Sequence, residues 1–280
     1  MSRPTPTEAA EQIRDQGYCL IPGFLSKERL DSFMPEVLRR FDRLSHNGTI
    51  GHVQAGTQKY LQHTLMAHKG VLDLYLDPFL IDCAEAYSET TVHLQDYRIY
   101  QNLEGCKMHW HVDNKQPSRD GQAELLDHKG LIIIMYLSNS PHGSFQFVRN
   151  SHKWAWKENV EDWEQRKDEF ADDVVTFEES AGACILYDFR GIHRAKPFET
   201  GEPRTAFFGQ YAPTASPTGE PIYVDTGMLD GLTDKQAQVL RFGRPASAPT
   251  WPVSADHEHP TAMQDFSGKV KRKLKTLLGR

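Results

Sequence analysis

Leu131-Ile132-Ile133-Ile134-Met135-Tyr136-Leu137 is an unbroken apolar run with no polar alternation. It is far too short to span a bilayer, and its β-branched content suits a strand buried on both faces. A chain with such a strand must cover both sides of a sheet. Further strand-like runs flank it, at roughly 92–101, 107–113, 144–148, 174–177, 183–189 and 204–211. Helical spacing is concentrated ahead of them. Residues 7 to 15 read as a helix, Tyr18 to Ile21 as a short strand, and Ser26 as the N-cap of a second helix. That helix places Leu30, Phe33, Met34, Val37, Leu38 and Phe41 on its apolar positions. Residues 46 to 60 read as loop, then helical stretches run to about 88, and a polar helix is expected over 154–170. The fold class expected is mainly β with helical additions.

Composition narrows the class. The chain has 280 residues, 39% hydrophobic and 25% charged, which suits one large globular β-domain over 1–280 rather than a disordered chain. Its core is expected at about 10–212, followed by an irregular, proline-containing extension over 213–262. The net charge of −6 argues against a nucleic-acid partner. Cys19, Cys83, Cys106 and Cys184 are widely spaced, with no Cys-x-x-Cys pattern, and read as reduced thiols. With no signal peptide or transmembrane run visible, a cytoplasmic location is the expectation. In the tail, 268–280, Val270, Leu274, Leu277 and Leu278 share a helix face among Lys269, Lys271, Arg272, Lys273 and Lys275. Such a basic amphipathic helix suits docking on the protein's own body, self-association, or weak binding to an anionic membrane.

The chemistry-bearing pattern is His111-Val112-Asp113, then His193, then Arg204 eleven residues later. On a strand, residues i and i+2 share a face, so His111 and Asp113 can reach one metal while Val112 turns away. Adding His193 makes the two-His, one-carboxylate set of non-haem Fe(II) oxygenases, which leaves coordination positions open for a co-substrate and O2. Thr200-Gly201-Glu202-Pro203 is a turn signal that returns the chain to Arg204. A guanidinium there suits the distal carboxylate of 2-oxoglutarate.

The chain resembles the phytanoyl-CoA dioxygenase superfamily over roughly residues 10 to 212. Asp15-Gln16-Gly17-Tyr18-Cys19-Leu20-Ile21-Pro22-Gly23-Phe24-Leu25-Ser26 is similar to that family's opening motif, Gly143 to Trp154 to its Gly-Ser-His segment, and Phe189 to Ala195 to the segment holding its distal His. The resemblance implies a double-stranded β-helix (jelly-roll) core flanked by N-terminal helices. It also implies Fe(II), 2-oxoglutarate and O2, with His111, Asp113 and His193 on the metal and Arg204 on 2-oxoglutarate. Ectoine hydroxylase-like members use a Gln-x-Tyr on the preceding strand to hold 2-oxoglutarate, which implies roles for Gln95 and Tyr97. Gln95, Tyr97, Ile99 and Gln101 are expected on one strand face. The chain departs from many relatives at Ala195 and Ala206, where a hydroxyl residue is common. Asp113 disfavours halogenation, which replaces that carboxylate with a small residue.

The expected reaction is hydroxylation of a C–H bond in a small molecule, such as a natural-product intermediate or an acyl or CoA-linked compound, with release of succinate and CO2. Desaturation, ring closure and epimerisation remain open. The rival readings are a cupin-type metal enzyme independent of 2-oxoglutarate and a non-catalytic jelly-roll binding module. His109 reads as a neighbour of the metal rather than a ligand, and Trp110 as core. The 114–130 segment, with Lys115, Arg119 and His128, reads as a lid or a solvated insertion. Arg98, Lys115 and Arg119 are candidates for an anionic substrate group. Lys59 resembles a lysine that some relatives place near the site, and Phe208 is a candidate pocket wall.

Overall fold

The structure is a computed structural model describing residues 3–43, 57–61, 64–113, 115–117, 123–125, 129–139, 142–158, 162–198, 200–216 and 222–242. The tail at 268–280 and much of the 114–130 segment, including Arg119 and His128, lie outside these residues.

Local signals set the first helices. Helix α1 (Pro6–Gln16) begins at a reciprocal capping box: Glu8 N donates to Thr5 Oγ1 at 3.3 Å, and Thr5 N donates to Glu8 Oε2 at 2.7 Å. Gly17 ends it in the left-handed region at φ 96°, and a Cβ there would lie 2.5 Å from Phe147 Cε1. Strand β1 (Tyr18–Ile21) follows, then α2 (Lys27–Arg43), whose entry Ser26 caps by accepting from Arg29 N at 3.2 Å. Of its expected apolar face, Leu30, Phe33, Val37 and Phe41 are buried, whereas Leu38 is exposed. Residues 58–60, expected as loop, form edge strand β2 (Gln58–Leu61) together with Leu61. Helices α3 (Lys69–Tyr75) and α4 (Pro78–Ser88) complete the helical part.

The β part comprises β3 (Val92–Asn102), a small ribbon of β4 (Lys115–Pro117) and β5 (Ala123–Leu125), β6 (Leu131–Tyr136), β7 (Phe145–Val148), β8 (Val174–Phe177), β9 (Cys184–Asp188), β10 (His193–Ala195) and β11 (Arg204–Pro213). The main sheet runs β1-β9-β6-β11-β3-β2 and a smaller sheet runs β10-β7-β8, every pair antiparallel. This is a jelly-roll core, two sheets facing each other, with helices against the outer face of the larger one.

Strand β6 shows why its sequence lacks alternation. Leu131, Ile133 and Met135 enter the core between the main sheet and the helices, while Ile132, Ile134 and Tyr136 enter the core between the two sheets. Both faces are dry. The second core is rich in aromatic rings: Phe145 packs on Tyr187 at 4.7 Å, and Tyr18 meets Phe177 edge-on at 5.0 Å.

Three expectations are corrected. Residues 107–113 form no strand; the segment touches the small sheet through one bridge, His111 to His193. The expected helix over 154–170 is replaced by short 3-10 turns, Ala155–Lys157 and Trp163–Glu169. Trp163 and Phe170 there pack with Trp110 and Ile192 in a separate aromatic cluster, so tertiary packing overrides the local helical pattern. Within the extension after 212, α5 (Asp234–Val239) forms behind a Thr233–Gln236 capping box, and Val239 and Leu240 join the outer core. Thr-x-x-Gln was a readable helix start.

Candidate metal centre

Two chain segments meet to make the centre. His111 N donates to His193 O at 3.1 Å and His193 N donates to His111 O at 2.9 Å, the reciprocal pair of an antiparallel bridge. Two residues on, Asp113 N donates to Phe189 O at 2.9 Å. These backbone anchors, rather than a strand pleat, hold His111 and Asp113 against the turn that carries His193. That turn needs Gly191: a Cβ there would fall 2.2 Å from Phe147 Cζ.

The side chains converge. Among the described residues, one His/Asp group could hold a metal: His111, Asp113 and His193, whose ligand atoms all lie within 4.8 Å of one another. His193 Nε2 is 3.1 Å from Asp113 Oδ2, and His111 Nε2 is 3.7 Å from Asp113 Oδ1. The outer nitrogens are occupied by backbone: His111 Nδ1 sits 2.8 Å from His109 O, and His193 Nδ1 sits 2.9 Å from Gly191 O. A carbonyl can only accept, so both Nδ1 atoms carry a proton, and each Nε2, turned inward, either holds a second proton facing Asp113 or gives its lone pair to a metal ion. Burial is graded: side-chain exposure is 4% for His193, 14% for His111 and 22% for Asp113, so the centre opens on one side.

Burial pushes the Asp113 carboxyl up, but His193, by charge and hydrogen bond, with His111 and Arg98, outweighs it and holds the group well below the usual carboxylate range. Asp113 is therefore an anion throughout the neutral range. The Tyr187 hydroxyl lies 3.4 Å from His193 Nε2, and its ring packs on His193 at 4.8 Å. Sequence reasoning passed over Tyr187 because an apolar strand disguised it.

Arg204 is the other decisive group. It opens β11 opposite Asn102 and shares the inward face with Ala206 and Phe208, both in the core between the sheets. It is 1% exposed, its guanidinium lies 4.8 Å over the Tyr136 ring, and none of its three guanidinium nitrogens has a hydrogen-bond partner among the described residues. Tyr100, opposite Ala206, is raised in pKa by burial, opposed by the charges of Arg204 and Arg98, and also feels Asp113, so it links the two halves of the centre.

The other expected residues divide. Tyr97 pairs with Gly209 and sits with Ile99 and Phe207 in the outer core; its hydroxyl accepts from Tyr223 N at 3.1 Å. It lies on the opposite sheet face from Arg204, which removes the expected contact with a shared ligand. Gln95 sits where the β3–β11 register shifts between Gln210 and Tyr211, so strand alternation does not carry the face of Tyr97, Ile99 and Gln101 over to it. Gln95 is buried, and its Oε1 has no hydrogen-bond partner among the described residues. Lys59 pairs with Gln101, one residue out of step with Gln58 and Tyr60, which meet the inward-facing Asn102 and Tyr100. His109 is 63% exposed and serves the centre through its carbonyl. Trp110 is core, as expected. Arg98 does face inward: it pairs with Asp96, and its guanidinium lies 3.7 Å over Phe208 and 5.6 Å from Tyr60.

The phytanoyl-CoA dioxygenase (PhyH) family model matches residues 13–206. The chain belongs to that family. No curated protein matches it. Among solved structures, the epimerase SnoN in complex with Fe3+, alpha ketoglutarate and nogalamycin RO superposes with a TM-score of 0.59 at 19% identity, covering 87% of this chain and 96% of that one. HygX from Streptomyces hygroscopicus, with nickel, 2-oxoglutarate and hygromycin B bound, gives 0.59 at 18% identity over 82% and 95%. The carbocyclase SnoK from nogalamycin biosynthesis gives 0.59 at 20% over 83% and 94%. At these identities the likeness is one of fold. Among the described residues, no helix is long and apolar enough to cross a membrane.

Proposed function

We propose that this family member is an Fe(II)- and 2-oxoglutarate-dependent oxygenase that hydroxylates a C–H bond of a small molecule. The observation carrying the reading is the pairing of a three-ligand centre with a buried guanidinium that has no carboxylate partner among the described residues. A buried unpaired cation is costly, and an anionic ligand removes that cost. The donor set fits Fe(II): two imidazole nitrogens and one carboxylate, with one side open.

His111, Asp113 and His193 would hold the ion, the carbonyls of His109 and Gly191 keeping both rings aimed. Arg204 would receive the far carboxylate of 2-oxoglutarate, and the Tyr136 ring holds its guanidinium in place. Bound iron with 2-oxoglutarate supplies the O2-activating chemistry that ends in succinate, CO2 and an oxidised substrate. The rings of Phe145 and Tyr187 exclude water behind His193. Phe208 and Arg98 would wall the substrate side, the guanidinium suiting an anionic substrate group. A single oxygenase domain carries the whole reaction in this reading, and SnoN and HygX, solved with natural products, support a small-molecule substrate of that kind. Hydroxylation adds one O2-derived oxygen atom to the product, whereas epimerisation or ring closure adds none.

The test is anaerobic titration of Fe(II)-loaded protein with 2-oxoglutarate, followed by the visible metal-to-ligand charge-transfer band. The band is expected in the natural sequence and absent in Asp113→Ala and His111→Ala. Iron binding without a band would favour a cupin-type enzyme, and no iron binding would favour a binding module.

A further inference from the structure

Asp188 points away from the metal face of β9, toward α4, and beside it a cleft of about 280 Å³ opens between α1, α4 and the turns after β7. Arg14, Lys129, Lys153, Arg190, His152 and Trp156 line it. None of these residues takes part in the centre described above.

The charges do not balance. Asp188 is fully buried and committed to Arg190, with Nη2 to Oδ2 at 2.6 Å and Nε to Oδ1 at 3.1 Å, while the Tyr87 hydroxyl also donates to it. Glu89, 63% exposed at the rim, is shared by Arg14 at 3.4 Å and Lys129 at 3.3 Å. Among the described residues, Lys153 Nζ touches only neutral acceptors, Asp15 O at 2.5 Å and Asn150 Oδ1 at 2.9 Å. Among the described residues, four permanent cations thus meet two carboxylates, an excess of two positive charges. Like charges gathered in one concavity repel, and they focus a field that draws in an anion.

The cleft also has unused donors. Arg190 is 9% exposed; Asp188 and Tyr87 take its Nε and Nη2, leaving Nη1. Arg14 Nε is buried with no hydrogen-bond partner among the described residues. The Trp156 ring lies 5.5 Å from the Arg190 guanidinium, closing one wall. A rigid guanidinium backed by a buried carboxylate, with lysine point charges opposite, suits a tetrahedral oxyanion. The volume is at the small end for a ligand pocket, enough for a phosphate group and a short appendage.

We propose that this cleft is a second ligand site, binding a phosphate-type dianion, either free inorganic phosphate or the phosphate of a small phosphorylated metabolite. It is independent of the oxygenase reading, since it shares no residue with the metal centre or with Arg204.

The experiment is 31P NMR titration of inorganic phosphate, and separately of methyl phosphate, with the full metal-free chain in a phosphate-free buffer. Saturable line broadening is expected. It should weaken about tenfold or more in Lys153→Glu, less in Lys129→Gln, and persist in Arg204→Ala. Both lysines are partly exposed side chains outside the core, so the variants should keep the far-ultraviolet spectrum and unfolding midpoint of the natural sequence. Tighter binding of methyl phosphate assigns the site to a phosphorylated metabolite; equal or tighter binding of inorganic phosphate assigns it to the free ion. No saturable broadening, broadening untouched by both lysine variants, or broadening abolished by Arg204→Ala would each overturn the proposal.

Discussion

Two buried guanidiniums lie on opposite faces of the main sheet, and their surroundings differ in kind. Arg190, on the helix side, is locked to the fully buried Asp188 and to Tyr87. Arg204, between the sheets, is more deeply buried, lies over the Tyr136 ring and has no carboxylate partner among the described residues. The first pair cancels its charges within the fold, leaving only the Arg190 Nη1 toward the cleft. In the proposed reading the second is completed by a ligand. A buried ion whose partner is covalently part of the chain supports structure, whereas one whose partner is missing is poised for binding.

Breaking the complete pair should have the largest effect on stability. Asp188→Ala leaves the Arg190 charge uncompensated and should cost about 3–5 kcal/mol in urea unfolding. A cost below about 1 kcal/mol would mean that water already satisfies the pair. The incomplete side should behave in the opposite sense. Arg204→Met should leave the unfolding midpoint of ligand-free protein unchanged or raised, while the 2-oxoglutarate concentration needed for the charge-transfer band rises on the order of 10- to 100-fold. A fall in stability with no change in 2-oxoglutarate affinity would sink the contrast.

A smaller effect separates the faces at β3. Tyr97→Phe removes only the acceptor for Tyr223 N. It should cost about 1 kcal/mol of stability and leave 2-oxoglutarate affinity untouched; a clear loss of affinity would return Tyr97 to the co-substrate site. The smallest concerns His152, whose pKa burial pushes down, with Nε2 placed 3.2 Å from Arg14 O. The unfolded chain then takes up this proton first. Stability conferred by the neutral ring is full above about pH 6.5 and is lost as pH falls through the lower folded value. The acid slope of the urea midpoint should flatten in His152→Gln.

Much of the centre was legible because its parts are local chemical signals. His111, Asp113, His193 and Arg204 stand out by residue type and spacing, and the unalternating 131–137 run announced a strand covered on both sides. Capping residues at Thr5 and Ser26, and glycine at 17, are likewise local, since each acts on backbone groups within a few residues. What strand alternation could not supply was facing. The register shift at Gln95 breaks the alternation that tied it to the face of Tyr97, and a single displaced residue reverses which side of a sheet a side chain enters. The bridge that aims His111 joins it to His193, a residue far along the chain, so no window of sequence contains it. The sequence by itself determined which groups could ligate a metal, clasp a carboxylate and end a helix. Only the tertiary structure decided which of them meet, because burial, hydrogen-bond completion and the balance of charge are properties of neighbours brought together by the fold. Arg190 and Arg204 are the same residue type fourteen positions apart, and what packed around each makes one a brace and leaves the other without a carboxylate partner among the described residues.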